Sequence, residues 1–211
     1  MIAPLVVALL GAESTGKTTL AHGLGSALRA QGHDAAVVPE YLREFCNHHG
    51  RTPRQDEQRA IADEQTRRIE AAAQRHSIVI ADTTAVMIAV YSDHVFNDSS
   101  LYGRVLAAHA RCGLTLLTAL DLPWQADGLQ RDGPQVRAPV DALVRAALMR
   151  AGLPYAVIFG RGASRLQAAL ACVQRALEPP ASSVPNETAR WQGFCERCGD
   201  AQCERHRLPT G

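Results

Sequence analysis

The chain has 211 residues, 46% hydrophobic and 20% charged, with a formal net charge of +1. That length suits one α/β domain with a small appendage. The near-neutral charge argues against an extended nucleic-acid surface, which needs a clustered basic excess.

The apolar run from Leu5 to Leu10 is too short to span a bilayer. It has no basic start, so it predicts neither a membrane anchor nor a signal peptide, and a cytoplasmic location is expected. It reads instead as a parallel strand buried on both faces. Leu20, Leu24, Ala27 and Leu28 then recur at helical spacing. A second strand is expected over Ala35 to Val38, running into Pro39-Glu40-Tyr41-Leu42-Arg43-Glu44-Phe45. A charged segment around Arg51 to Gln58 leads into a helix to about Arg75. Ser77 to Asp82 is a third strand, apolar until it stops on an acid. Helical periodicity resumes over Val86, Met87, Val90 and Tyr91, then over Leu101, Val105 and Ala108.

Leu114 to Leu120 reads as a fourth strand, followed by a polar loop to Gly133 and a helix from about Gln135 to Arg150. Tyr155 to Phe159 is the fifth strand, and Leu166, Leu170, Val173 and Leu177 mark a last helix. Cys172 in that helix reads as a small core residue. Strands alternating with helices predict a three-layer α/β/α fold around a five-stranded parallel sheet. Residues 1–178 would form this body, 179–190 a Pro/Ser linker, and 191–211 a cysteine/histidine tail.

Between the first strand and the first helix stands Gly11-Ala-Glu-Ser-Thr-Gly16-Lys17-Thr18, a full match to G-x-x-x-x-G-K-[ST]. Lys17 is the single lysine among 22 basic side chains; the rest are arginines. A phosphate-binding loop is a place where that exchange fails. Its backbone N–H groups curl around a phosphate, and a compact ammonium on a thin stem must reach the β/γ oxygens, where a planar guanidinium is too broad. Strand, glycine loop and helix follow in the required order. ATP is therefore expected on Gly11, Glu13, Ser14, Thr15, Gly16, Lys17, Thr18 and Thr19, with the Thr18 hydroxyl on Mg²⁺.

Further groups fall at the same edge of the expected sheet. Asp82 ends an apolar strand where such sites deliver their second acid; it could hold magnesium, accept a substrate proton, or cap the following helix. Glu40 and Glu44 follow the second strand with Arg43 between them. Either acid could orient an attacking hydroxyl, or both could be ordinary residues of a first helical turn. Gln65 lies on the apolar face of its helix, between Ile61 and Ile69, and either contacts a ligand or satisfies buried backbone. Arg131 and Arg137, in and beyond a loop with Gly128 and Gly133, read as a lid that closes over the triphosphate. In the tail, Cys195, Cys198, Cys203 and His206 supply thiolate and imidazole ligands suited to tetrahedral Zn²⁺; the alternative is an oxidisable tail.

The run from Gly11 to Leu20 resembles the phosphate loop of the ribosylnicotinamide kinase domain found in bifunctional NAD-biosynthesis regulators and in stand-alone relatives. Glu40 to Phe45, Asp82-Thr83-Thr84, and Trp124-Gln-Ala-Asp127-Gly128-Leu-Gln-Arg131 support the match in the same order. The resemblance covers about residues 3 to 178. It implies phosphorylation of the ribose 5′-hydroxyl of nicotinamide riboside, giving nicotinamide mononucleotide. Lys17 and Thr18 would hold phosphate and magnesium, Glu40 or Asp82 would act near the hydroxyl, and Arg131 would serve the lid. Tyr41, Arg43, Glu44, Gln65 and Asp127 join Glu40 and Asp82 as expected acceptor-side contacts. The chain departs from the regulators in having no preceding adenylyltransferase domain and in adding the cysteine tail.

Three functions are consistent with these residues: this kinase, a kinase of another nucleoside or metabolite, and a nucleotide-dependent switch or adaptor whose tail binds a partner. A conventional GTPase is disfavoured, because its guanine-reading Asn-Lys-x-Asp motif needs a second lysine. The expected partner of either kinase is a small-molecule nucleoside, with neither nucleic acid nor membrane.

Overall fold

The computed structural model describes residues 3–125 and 133–178. Strands β1 (Leu5–Leu10), β2 (Ala35–Val38), β3 (Ile78–Asp82), β4 (Leu114–Thr118) and β5 (Ala156–Ile158) form one sheet in the order β2-β3-β1-β4-β5. Every pairing is parallel. The described helices are α1 (Lys17–Ala30), α2 (Tyr41–His49), α3 (Gln58–Ala73), α4 (Ala85–Phe96), α5 (Tyr102–His109), α6 (Arg137–Arg150) and α7 (Gly162–Leu177). Short 3₁₀ turns precede α3 and α6 at Gln55–Glu57 and Pro134–Val136.

Alternate residues of β1 face opposite layers, as a pleated strand requires. Val7 and Leu9 pack with Leu20, Leu24 and Leu28 of α1 and with Leu170 and Val173 of α7. Leu10 faces the other layer, with Ile61 of α3, Val86 and Val90 of α4, and Val140 and Val144 of α6. The sheet is thus apolar on both sides, and its strands read as nearly continuous hydrophobic runs. Leu24 and Leu28 are fully buried, and each such burial contributes roughly 2 kcal/mol. The three-layer α/β/α architecture expected from the alternation of strands and helices is the observed one.

The differences are local. Tyr41–His49 is a full helix, not a continuation of the second strand, and ends on Gly50 in the left-handed conformation at φ 64°. Tyr41, Leu42, Phe45 and Cys46 fall at helical spacing and form its core-facing stripe. The fourth strand stops at Thr118 and the fifth is only three residues long. Cys172 is half-buried against the α1/α7 layer, while Cys46 of α2 is the fully buried thiol. Residues Met1–Leu177 make one compact unit. Among the described residues, no helix is long and apolar enough to cross a membrane.

Candidate active site

The glycine loop joins β1 to α1, and its shape is fixed from behind. Gly11 has φ 144°, and a Cβ there would lie 2.1 Å from Thr118 Oγ1 at the end of β4. Gly16 has φ 76°, and a Cβ on it would come within 3.0 Å of Leu122. Neither position admits a larger residue without strain. The hydroxyls of Thr15 and Thr118 stand 2.7 Å apart and also reach Ala12 O at 2.7 Å and Leu10 O at 3.1 Å. Two hydroxyl protons therefore serve three oxygen contacts, which stitches the loop to β1 and β4. Ser14, at φ 55°, accepts a bond from Gln125 N–H at 2.8 Å, tying the loop to the start of the segment after β4.

Gly16 occupies the N-cap position of α1 and provides no side-chain cap, and the first turn carries no acid. The helix start therefore presents uncompensated positive dipole. That is the chemistry of an anion site. The Lys17 ammonium lies across the loop, donating to Ala12 O at 2.8 Å. Glu13, in the middle of the loop, is buried. Thr18 is half-buried and Thr19 exposed at the start of α1.

An arginine that the sequence gives no reason to single out holds the loop from outside. Arg165 of α7 is only 4% exposed. It donates to Thr15 O at 2.8 Å, to Gly160 O at 2.9 Å and to Asp121 Oδ1 at 3.0 Å. Asp121 also accepts from Gly160 N–H at 2.6 Å. Burial works to raise the Asp121 pKa, but the Gly160 N–H and the Arg165 guanidinium outweigh it and hold the carboxyl below its usual value. One guanidinium thus links the loop to the chain beyond β4 and β5. Its sequence setting, between Ser164 and Leu166 in the first turn of α7, carries no signal that would have found it.

The acids lie on the other side of the loop. Register pairs Leu9 of β1 with Asp82 of β3, so Asp82 sits about one strand spacing from the chain entering the loop. It is 3% exposed, and its carboxylate makes no hydrogen bond or ion pair with another described residue. The capping alternative falls to Thr84, whose Oγ1 accepts from Val86 N–H at 3.4 Å. The intervening Thr83 has φ 76° and 1% exposure, and its hydroxyl has no hydrogen-bond partner. A β-branched residue in that conformation costs about 1–3 kcal/mol, and such strain collects at functional sites.

Glu40 is the N-cap residue of α2 without capping it through its side chain; Arg43 lies 3.8 Å from its carboxylate. Gln65 is fully buried, and its amide serves backbone. Oε1 accepts from Tyr41 N–H at 2.7 Å, and Nε2 donates to Pro39 O at 3.3 Å and Thr83 O at 3.2 Å. Of the two alternatives for Gln65, the buried backbone prevails: both N–H donors and one lone pair of Oε1 are engaged by backbone.

Glu44 also departs from its expected acceptor-side role. It lies one turn into α2, where Arg68 of α3 pairs with both its oxygens, and that hydrogen-bonded guanidinium lowers its pKa. Arg68 additionally covers the Tyr41 ring at 4.3 Å. Arg137 differs from a free lid residue: it is buried at the start of α6 and donates to Leu122 O at 2.9 Å. Its Nε and Nη2 have no hydrogen-bond partner, leaving two donors beside the segment that touches Gly16. Asp127 and Arg131 lie outside the described residues, as do Cys195, Cys198, Cys203 and His206.

Solved structures share this architecture. The crystal structure of NadR protein in complex with NR matches with a TM-score of 0.70 and 21% identity, over 82% of this chain and 52% of that one. The chain therefore spans about half the length of that protein. Thymidylate kinase from Ehrlichia chaffeensis matches with a TM-score of 0.60 and 14% identity, over 84% of this chain and 100% of that one. These likenesses establish a P-loop kinase-like fold. No curated protein matches the sequence. A family model described as an AAA domain matches residues 6–165, well over half of the chain, and the protein belongs to that family, AAA_28.

Proposed function

We propose that the protein is an ATP-dependent kinase of a nucleoside, with the ribose 5′-hydroxyl of nicotinamide riboside as the leading acceptor and nicotinamide mononucleotide as the product. The observation that carries this is the pairing of Leu9 with Asp82 across adjacent strands. It sets a buried carboxylate beside a lysine-bearing anion loop, as transfer from a triphosphate to a hydroxyl requires. The resemblance of the Glu40, Asp82 and Trp124 segments to ribosylnicotinamide kinases supports the choice of acceptor.

The residues present fit ATP and magnesium: a glycine cradle closed to any Cβ, an uncapped helix start, and the oxygen donors of Thr18 and Asp82. Among the described residues no three His, Cys, Asp or Glu side chains gather as a metal group. Magnesium here would draw its other ligands from phosphate and water. Bound ATP supplies the γ-phosphoryl group, with Mg²⁺ neutralising its charge.

In this mechanism the loop N–H groups and Lys17 hold the phosphates in line. Glu40 or Asp82 orients the acceptor hydroxyl and takes its proton as the new O–P bond forms and the bond to the β-phosphate oxygen breaks. Arg137, and Arg131 from the segment beyond Gln125, meet the developing charge. Tyr41, Arg43 and Asp127 belong to the acceptor side. Residues 1–178 act as the kinase body, 179–190 as linker, and Cys195, Cys198, Cys203 and His206 as a Zn²⁺ site in the tail of a cytoplasmic protein.

The test is ATP consumption with Mg²⁺ against nicotinamide riboside, thymidine, uridine and adenosine, with products identified by mass. Nicotinamide mononucleotide made with a kcat/KM well above the other acceptors supports the full proposal. A different phosphorylated acceptor keeps the kinase and removes the NAD assignment. Tight ATP binding with no acceptor-dependent turnover overturns the kinase in favour of a switch or adaptor.

A further inference from the structure

Asp82 ends β3 and Glu40 follows the adjacent β2. The pairing of Val38 with Ala81 aligns the two strand ends, but it does not fix the chain beyond Val38, where Pro39 and Glu40 have left the ladder. The connection is made by Gln65. Its Oε1 takes the N–H of Tyr41, directly after Glu40, while Nε2 binds Pro39 O, directly before Glu40, and Thr83 O, directly after Asp82. The amide has no exposed surface and is mounted at the middle of α3, a helix packed against both α2 and α4. It also replaces the missing cap of α2, since Tyr41 is the first residue of that helix and Glu40 makes no side-chain capping bond. A third feature points the same way. Thr83 is held at φ 76° with an unpartnered, buried hydroxyl, a conformation that persists only where the surroundings impose it. The bond from Gln65 Nε2 is the side-chain contact on that residue's backbone.

We infer that Gln65 is the positioning residue of the acceptor side: one buried amide that clamps the segment carrying Glu40 and the turn directly after Asp82 into a single fixed geometry. The inference rests on the kinase proposal, because that proposal assigns one of those two acids to the acceptor hydroxyl. Gln65 touches no substrate and acts through them. The nucleotide loop is braced separately, by Thr118 and Arg165, so losing the clamp leaves ATP binding in place.

The experiment compares wild type, Gln65→Met and the milder Gln65→Asn, using ATP–Mg²⁺ with nicotinamide riboside, thymidine, uridine and adenosine. Circular dichroism and a thermal melt check folding. Gln65→Met keeps the length and removes all three bonds; Gln65→Asn keeps the amide and withdraws it by one methylene. The expected result is a kcat lowered on the order of a hundredfold in Gln65→Met, as misplaced reacting groups produce. The KM for ATP should stay within about threefold of wild type. Thr83→Gly introduced into Gln65→Met should recover about tenfold of that kcat, because glycine adopts φ 76° without strain. If Gln65→Met does not fold, Gln65→Asn carries the same kcat-against-KM comparison.

Folded Gln65 variants with wild-type kcat overturn the clamp and leave the kinase standing. A loss confined to acceptor KM makes Gln65 a substrate contact and overturns it equally. A wild type that phosphorylates no acceptor removes the kinase proposal and the clamp together.

Discussion

At the scale of single residues, Lys17 carries the sharpest expectation. The chain uses arginine at every other basic position, so the cost of a guanidinium here can be measured directly. Lys17 reaches Ala12 O across the mouth of the loop, a span that suits an ammonium and not a planar fork. Lys17→Arg is expected to lower kcat/KM on the order of a hundredfold, and Lys17→Ala at least as much, with unchanged thermal melts. Near-wild-type turnover by Lys17→Arg would remove this lysine from the reaction. The loop was legible in the sequence because its chemistry is backbone chemistry, and glycine spacing encodes backbone directly. The opposite holds for Glu44 and Gln65. Whether a polar residue on a helix meets a ligand, an arginine or a neighbouring carbonyl depends on what packs beside it.

At the scale of elements, the arrangement is a brace of α7 against the loop between β1 and α1. Arg165 stands 150 positions beyond Thr15, and no local periodicity relates them. Removing its side chain leaves the Thr15 and Gly160 carbonyls and the Asp121 carboxylate without their donor. Because Asp121 is about one-third exposed, water recovers part of that loss. Arg165→Met is therefore expected to cost about 2 kcal/mol in urea unfolding, short of the value for a fully buried pair. ATP affinity should fall roughly tenfold, because the loop loses its outer support. Asp121→Asn keeps an acceptor for only one of the two donors, because Gly160 N–H and Arg165 bind different carboxylate oxygens, and should cost about 1–2 kcal/mol. Equal stability and equal ATP affinity in Arg165→Met would show that the brace holds nothing.

At the scale of the whole molecule, pH should reveal a histidine buried in the helical layer opposite α1 and α7. His109 of α5 bridges Thr84 Oγ1 at 3.0 Å and Thr115 Oγ1 at 2.9 Å. Burial pushes its pKa down to about 4 from 6.5. The unfolded chain therefore binds a proton below pH 6.5 that the folded chain refuses until about pH 4. Stability is at its plateau above pH 6.5, falls by about 2 kcal/mol by pH 5, and loses about 3 kcal/mol in all. Glu57 and Glu64, held near 2 chiefly by hydrogen bonds from Arg51 and Arg67, lose their contribution only below pH 4.5, so the upper window isolates His109. Urea midpoints from pH 7 to 5 should decline in wild type and stay flatter in His109→Gln; parallel curves would assign the slope elsewhere. Nothing around His109 in the sequence suggests this, since burial of an imidazole is decided by the helices that close over it. The sequence by itself determined the strand–helix alternation, the apolar strands and the anion loop, because each is written in local periodicity or backbone-permissive glycines. Only the tertiary structure decided that a threonine rather than Asp82 caps α4, that Glu44 is bound by arginine and that Asp82 stands beside the loop. Side-chain partners are set by contacts between segments distant in the chain, and spacing along it carries no record of them.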